Sequence, residues 1–231
     1  MVGLGDVSWD EIAVLRDRIG KLPTATVAAA AQGFASLLVD TFATIALARL
    51  FLVVPCRQLP AAERALVAPE LSPATPTLAL LGTAGREAAW NDRTRSVGHR
   101  AIPLVDRETV HGAPMIAKLL GDLEVNLASL AGGGPIATRL MIGGRNGMFY
   151  VPEARTTRDE LGRPIIDPAF ASQHAIESVF GMGGAYLDGT LAIAILFCTE
   201  HVDRGLADRY SSFIGAFKIA TMTAQRDGAI F

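Results

Sequence analysis

Apolar residues recur at helical spacing through the first part of the chain. Within residues 8–20 they stand three or four positions apart, which places them on one face of an α-helix. Ser8 followed three positions later by Glu11 fits the capping box that starts a helix. Residues 24–43, after Pro23, form a second and alanine-rich helix, whose small side chains favour close packing against another helix of this chain or of a second subunit. The inward positions of the first helix are Ile12, Leu15 and Ile19.

Longer apolar and β-branched runs follow, and they predict strands. Residues 44–55 and 77–85 are nearly continuous in apolar side chains over the length of a strand, so both are expected to be buried. A short helix is expected over 61–68. Residues 112–123 return to helical spacing, with Pro114 near the first turn, where a missing N–H is tolerated. The inward positions of that helix are Met115, Ile116, Leu119, Leu120 and Leu123.

Two turn signals separate apolar runs in the second half of the chain. Asn146-Gly147 predicts a hairpin, and Asp188-Gly189 predicts a second one with a type I′ turn, which needs a positive φ at Gly189. The runs on both sides of Asp188 are almost continuously apolar, so these strands are expected to lie centrally in the sheet and to be covered on both faces.

The order of these elements predicts the fold class. Residues 156–170 are polar and are expected on the surface, and the spacing after them predicts one closing helix over 202–225. Helices, then strands mixed with helices, then a hairpin and a long helix are typical of an α+β fold on an antiparallel sheet. We expect a single domain over 1–231, with N-terminal helices in 8–43 and a sheet core with pocket loops in 44–200. The core-facing positions of the closing helix are Leu206, Tyr210, Phe213, Phe217 and Met222.

Composition narrows the class of protein. Half of the 231 residues are hydrophobic and 19% are charged, which excludes intrinsic disorder. The formal net charge of −2 gives no support for nucleic-acid binding. The longest uncharged stretch, Leu22–Val39, contains polar residues and a proline and is marginal for a membrane span. No secretory signal is visible at the acidic start, and two distant cysteines imply no disulfide framework, so we expect a cytoplasmic protein without a membrane partner.

Motifs for common chemistries are missing from the sequence. The glycine run at 181–184 is followed by a strand pattern and not by a helix, so it does not fit a dinucleotide-binding turn. No phosphate-binding GxxxxGK[ST] and no GxSxG nucleophile motif is present, and Ser96 near His99 is weak support for a serine hydrolase. The chain is therefore interpreted as a protein that is not an enzyme.

Metal and haem chemistry stay open as an alternative. Cys198 and His201 have the spacing of half a zinc site, but no second Cys/His pair completes it, so a buried strand-end cysteine and a surface histidine are favoured. His111 and His174 are interpreted as ordinary surface or helix-start residues. His99 lies in an unusually polar segment and is a conceivable axial haem ligand, although no haem attachment sequence supports it.

The polar segment 86–107 is the candidate ligand site. It contains five arginines against three acids, together with an aromatic residue and neutral hydrogen-bonding groups, next to the strand predicted at 77–82. Small-molecule pockets combine apolar walls with a few such convergent groups. The alternatives are that these side chains brace a long loop, or that Arg93 pairs with Asp92 or Glu87 without any cavity. The candidate ligand-binding residues are Trp90, Asn91, Arg93, Ser96, His99 and Arg100.

Several runs of the sequence together resemble a GAF-type sensor domain, and most closely the GAF-like input region of bacterial sensor histidine kinases. They span about residues 10–222, and the part from Trp90 to Leu104 is the most specific of them. The resemblance implies a central antiparallel sheet with helices on both faces, a ligand pocket between the sheet and covering loops, and terminal helices that pack in a dimer. The runs are LLGTAGREAAWNDRTRSVGHRAIPL, APMIAKLL, MFYVPEA and SVFGMGGAYLDGTLAIAILF.

The resemblance also shapes the functional hypothesis. The sequence ends at DGAIF without a kinase or other output module, so we expect a non-enzymatic sensory module that relays its state through its helices to a separate kinase or regulator. A homodimer and a small-molecule ligand are the expected partners. Neither a bilin-attachment cysteine nor a cyclic-nucleotide signature is recognised, so the ligand and any cofactor are left open. The alternative is a haem- or metal-dependent gas or redox sensor that uses His99 or Cys198.

Overall fold

One antiparallel sheet organises the molecule. The computed structural model describes residues 1–67, 71–96, 99–105, 110, 112–125 and 147–231. The six strands of these ranges lie in the order β3-β2-β1-β6-β5-β4, and every neighbouring pair is antiparallel. The strands are β1 (Ile45–Pro55), β2 (Pro76–Gly85), β3 (Ala101–Pro103), β4 (Gly147–Val151), β5 (Ser178–Ala185) and β6 (Leu191–Cys198).

Helices cover both faces of this sheet. The first of them has the predicted capping box, since the Ser8 hydroxyl accepts from the Glu11 N–H at 3.2 Å and the Glu11 carboxylate accepts from the Ser8 N–H at 2.8 Å. The helices are α1 (Trp9–Gly20), α2 (Val27–Thr41), α3 (Ala61–Arg64), α4 (Pro114–Asp122), α5 (Pro168–Gln173), α6 (Arg204–Asp208) and α7 (Ser212–Arg226). Short 3₁₀ turns lie at Leu4–Asp6, Cys56–Gln58 and Ala88–Asn91.

Alternating residues of the central strand separate two cores. Ala48 and Leu50 pack with α1, α2 and α7 in one hydrophobic cluster, whereas Leu47 and Phe51 pack with α4 and α5 in the other. Both β1 and β6 are buried along almost their whole length because each face is covered. The α+β class, and the sheet with helices on both faces that the GAF resemblance implies, are confirmed.

Helix α2 lies directly on the sheet, which corrects the prediction that it packs mainly on another helix. It contacts β2 and β1 more extensively than it contacts α7. The short β3 pairs only with Thr77–Ala79, so the outer edge of β2 has no strand partner among the described residues at Thr83. Gln32 supplies the missing hydrogen bonds: its amide donates to the Thr83 carbonyl at 2.8 Å and accepts from the Thr83 N–H at 3.2 Å. The helix is thereby fixed in register on the strand.

The hairpin at Asp188-Gly189 is confirmed, but its turn type is not. Gly189 has a φ of 87°, while Asp188 is not among the positive-φ residues of the described ranges, so a type I′ turn is excluded. The Gly189 N–H donates to the Tyr186 carbonyl at 3.0 Å, and Tyr186 also pairs with Thr190. The loop therefore has three residues, 187–189, and ends with Gly189 in the left-handed region. The Asp-Gly pair alone predicts a loop of two residues.

Replacement of Gly189 by valine is expected to destabilise the protein. A β-branched residue in the left-handed region costs about 1–2 kcal/mol, which lowers the melting temperature by about 4 °C in a chain of this size. Gly189→Asn is the control, because asparagine tolerates this region better. Thermal melts of both variants test the turn, and an unchanged melting temperature for Gly189→Val would show that the assigned loop is wrong.

Other boundaries differ from the sequence predictions. The closing helix is divided into α6 and α7, and Met222 is exposed on α7 rather than core-facing. The polar segment 156–170 is not wholly on the surface, because Ile165 and Ile166 are buried against the second core. The hairpin predicted at Asn146 falls largely outside the described residues. In the described part of the chain, no helix combines the length and the hydropathy needed to cross a membrane.

Candidate functional site

A cavity of about 300 Å³ lies over β1 and β6, on the face that α4 and α5 cover. Its floor is formed by Leu47 and Arg49 of β1 and by Phe197 of β6, so it does not border β2 as expected from the sequence. Side chains from three separate covering segments line its other sides and leave it partly open to solvent. The other lining residues are His99, Met115, Ile165, Ile166, Asp167 and Phe170.

Arg49 is the charged residue of the cavity floor. It stands in the middle of β1 and is only 9% exposed. Its Nη2 donates to the Ser96 hydroxyl at 2.8 Å, whereas its buried Nε has no acceptor. No carboxylate of the described residues lies within 4.0 Å of the guanidinium. Burial lowers the pKa of Arg49 to about 10, so the side chain remains a cation at pH 7.

His99 lines the cavity near this cation. The residue is exposed overall and has a φ of 53°. Partial desolvation of the imidazole and, to a lesser extent, the nearby charge of Arg49 lower the pKa of His99. The neutral imidazole therefore predominates at pH 7, and the guanidinium is the cationic group among the lining residues.

An aromatic cluster stands behind one wall of the cavity. Phe170 lines the cavity and packs edge-on against Phe197, with ring centroids 5.6 Å apart. Trp90 and His174 pack behind Phe170, at 5.9 and 4.9 Å respectively, and lie 4.6 Å from each other. The His174 side chain is only 14% exposed and stands 3.8 Å from Glu87. His174 thus belongs to the aromatic cluster behind the wall and is not the ordinary surface residue predicted from the sequence.

The polar residues of the predicted segment are divided between the cavity and the loop. The Asn91 amide accepts from the Gly85 N–H at 2.9 Å and donates to the Gly85 carbonyl at 3.1 Å, so it braces the end of β2. Arg93 donates to the buried carboxylate of Glu63 at 2.6 Å, and Arg100 lies 3.8 Å from the same oxygen. Neither arginine lines the cavity, and Arg93 forms this longer-range pair with Glu63 instead of the alternative pairing with Asp92 or Glu87.

The six candidate residues therefore have three different positions. His99 lines the cavity, Ser96 holds Arg49, and Trp90 supports Phe170. The others, Asn91, Arg93 and Arg100, lie in contacts of the loop itself. Direct contact of any of them with a ligand stays a prediction.

Sequence reasoning missed Arg49 as a site residue. The usable signal was a lone charged side chain inside an otherwise apolar strand, because such a residue is buried only with a partner or a function.

The two candidate metal ligands lie on opposite faces of the sheet. Cys198 is fully buried in the first core, where desolvation, together with the charge of Glu200, raises the pKa of its thiol. His99 lies on the other face. The strand-end position of Cys198 and the exposure of His201 agree with the sequence interpretation. In the ranges that the structure describes, no group of three or more His, Cys, Asp or Glu side chains is arranged to hold a metal ion.

Two larger hollows of the described residues, of about 620 and 520 Å³, are weaker candidates. Several of their charged groups are already engaged, since Arg64 donates to the Leu59 carbonyl, Lys118 pairs with Asp122 and Arg163 pairs with Asp159, and Arg57 and Glu160 are exposed. The smaller cavity is distinguished by its buried cation without an acidic partner.

Comparisons with known proteins concern the fold. No family model matches the sequence, and no curated protein matches it. The structure is similar to the substrate complex of a free methionine-R-sulfoxide reductase from Neisseria meningitidis, with 9% identity over 95% of this chain and 91% of that one, and a TM-score of 0.49. It is also similar to the phycocyanobilin-bound and phycoerythrobilin-bound GAF domains of a cyanobacterial phytochrome. The phycocyanobilin-bound domain has 8% identity over 95% of this chain and 96% of that one, with a TM-score of 0.45. The phycoerythrobilin-bound domain has 9% identity over 96% of this chain and 98% of that one, also with a TM-score of 0.45.

Proposed function

We propose that this chain is a non-enzymatic, cytoplasmic GAF-like sensory module that binds a small molecule in the cavity over β1 and β6. The observation that carries the proposal is the composition of the cavity wall. Phe170, Phe197 and Met115 supply apolar surface, and the buried Arg49 supplies one polar anchor. Apolar walls with few convergent polar groups are typical of small-molecule sites.

A relay of the bound state to a partner, a kinase or a regulator, is supported by the contacts of residues 91–96. Ser96 holds the cavity arginine, while Arg93 lies over the ring of Phe231, the last residue of the sequence, at 5.1 Å. Just before Phe231, the carbonyls of Ala229 and Ile230 accept from the N–H groups at the N-terminus of α2, at 2.9 and 2.8 Å. A ligand that moves Ser96 therefore acts on a segment that also contacts Phe231. A signal arises if the ligand binds one conformation of this segment more tightly than another.

Native mass spectrometry of the freshly purified protein tests the ligand site. We expect a co-purifying small molecule or, after a metabolite extract is added, a retained mass. Met115→Trp places a large ring at the cavity wall and should remove that mass, whereas Leu187→Trp, a change of an exposed residue in the loop between β5 and β6, should retain it. Equal retention by both variants would contradict binding in this cavity.

A haem- or metal-dependent sensor is the second candidate, and His99 is the observation that favours it. A neutral imidazole facing a cavity can ligate a metal. An absorption spectrum of the fresh protein separates the candidates: a Soret band that disappears in His99→Ala supports the haem sensor, and a colourless protein with a retained organic mass supports the first proposal.

A homodimer is expected from the outer faces of the terminal helices. The helices α1 and α7 pack against each other. On their outer faces, Val14 of α1 is 61% exposed, and Ile219 and Met222 of α7 are 75% and 46% exposed. Sedimentation at micromolar concentration should give twice the 24.4 kDa of one chain. The double variant Ile219→Glu/Met222→Glu should become monomeric, while Leu161→Glu, a change of an exposed loop residue, should not. A wild-type mass of 24.4 kDa would exclude the dimer.

A further inference from the structure

We infer that the cavity recognises a carboxylate, and that the guanidinium of Arg49 anchors it. The inference rests on the proposed function of this cavity as a ligand site and names the chemical class of the ligand. A carboxylic acid with a small apolar body fits the lining better than a neutral molecule or a phosphate does. Burial, charge and cavity size each support part of this statement.

Burial gives the first argument. A cation that is 9% exposed loses most of its hydration, and proteins normally compensate such a charge with a carboxylate. In the part of the chain that the structure describes, Arg49 receives one neutral hydroxyl, from Ser96, and its Nε has no acceptor. A buried guanidinium nitrogen without an acceptor, at the floor of a cavity, indicates that the site is completed by something outside these residues.

Charge distinguishes a carboxylate from a phosphate. The lining residues offer one fixed cation, because the neutral form of His99 predominates at pH 7. Asp167 is the acidic lining residue, but it is exposed, and its Oδ1 already accepts from the N–H groups of Ala169 at 2.8 Å and Phe170 at 3.4 Å. A single guanidinium neutralises a monoanion and can bind its two oxygens together, whereas a dianionic phosphate would keep an uncompensated charge in an apolar cavity.

Size and shape define the rest of the ligand. About 300 Å³ accommodates on the order of ten non-hydrogen atoms if each needs the volume of a water molecule. Phe170 and Phe197 meet edge-on at the wall, and Ile165 and Ile166 continue the apolar surface. Such a wall suits an aromatic ring or a branched aliphatic chain attached to the carboxylate.

Matched pairs of acids and amides test the inference on the full chain. The probes are benzoate with benzamide, phenylacetate with phenylacetamide, and isovalerate with isovaleramide, measured by calorimetry and thermal shift at pH 7. We expect at least one acid to bind wild type more tightly than its amide, and Arg49→Met to weaken that acid by about 10- to 100-fold, the usual value of a charged hydrogen bond. Arg95→Met, a change of an exposed arginine nearby, should leave the binding unchanged.

Stability of the free protein separates a binding role from a structural one. Because Arg49→Met removes a buried and partly unsatisfied cation, the ligand-free variant should melt at least about 2 °C higher than wild type. A lower melting temperature with an unchanged preference for acids would make Arg49 a structural residue and would overturn the inference.

The failures of the two proposals are distinguishable. Equal binding of acids and amides overturns the carboxylate inference but leaves the cavity as a ligand site. Binding of an acid that persists in Arg49→Met overturns the role of Arg49. If no acid of the panel binds, the inference is overturned, and the co-purifying mass of the preceding experiment then decides whether the cavity holds any ligand.

Discussion

Gly82→Ala is expected to cost about 3 kcal/mol or more of unfolding free energy, which is at the upper end for overpacking by one methyl group. A Cβ atom at this position would lie within the van der Waals radii of the Ala31 carbonyl group and of the Gln32 nitrogen. These are backbone atoms of α2 and cannot rotate away as a flexible side chain can. The helix must therefore lift from β2, and the paired Gln32–Thr83 hydrogen bonds are lost with it.

Chemical denaturation measures this cost, and Gly121→Ala is the matched control. Gly121 lies within α4, and no atom stands within 4 Å of the position that a methyl group would take there, so alanine should stabilise the helix by up to about 1 kcal/mol. The same substitution is thus expected to have opposite signs at the two sites. Wild-type stability for Gly82→Ala would mean that α2 does not approach the sheet as closely as described.

Arg93→Met is expected to cost about 2–3 kcal/mol, because it removes the main partner of a buried carboxylate. Glu63 is 2% exposed and accepts from Arg93 at 2.6 Å, while Arg100 is farther away at 3.8 Å. The Arg93 side chain is 21% exposed, which reduces the expected effect from the upper range for fully buried pairs.

A double-mutant cycle isolates this interaction. Glu63→Leu combined with Arg93→Met should recover most of the stability, since no charge is then left without its partner. Arg95→Met changes an exposed arginine two positions away and should stay within about 0.5 kcal/mol of wild type. Strictly additive costs of the two single changes would show that the pair does not couple.

Most of the helices and strands could be predicted from local sequence patterns. The capping box at Ser8, the alanine-rich helix and the apolar strands at 44–55 and 77–85 agree with the structure because each signal is contained in one segment. The three-residue strand β3 was not predicted, because a short edge strand has no periodicity of its own. The division between α6 and α7 was also missed, since apolar spacing continues across the break.

The site was harder to predict because it depends on pairings across the chain. Ser96 was selected from its polar surroundings, but its partner Arg49 stands 47 residues earlier in a strand that reads as apolar core. Arg93 was interpreted as a ligand contact or as the partner of a neighbouring acid, whereas Glu63, 30 residues away, binds it. Sequence patterns indicate which residues are unusual, and the fold decides which of them meet.

The two tryptophans of the chain have very different surroundings, so intrinsic fluorescence can report on the cavity. Trp9 is 64% exposed beneath the guanidinium of Arg209, whereas Trp90 lies 4.6 Å from His174 and 5.9 Å from Phe170 of the cavity wall. In a Trp9→Phe background, Trp90 is the one remaining tryptophan, and excitation at the long-wavelength edge, where tyrosine does not absorb, selects its emission. Any molecule that shifts Phe170 or the imidazole beside it changes the intensity of that emission, so occupancy of the cavity can be titrated without a label.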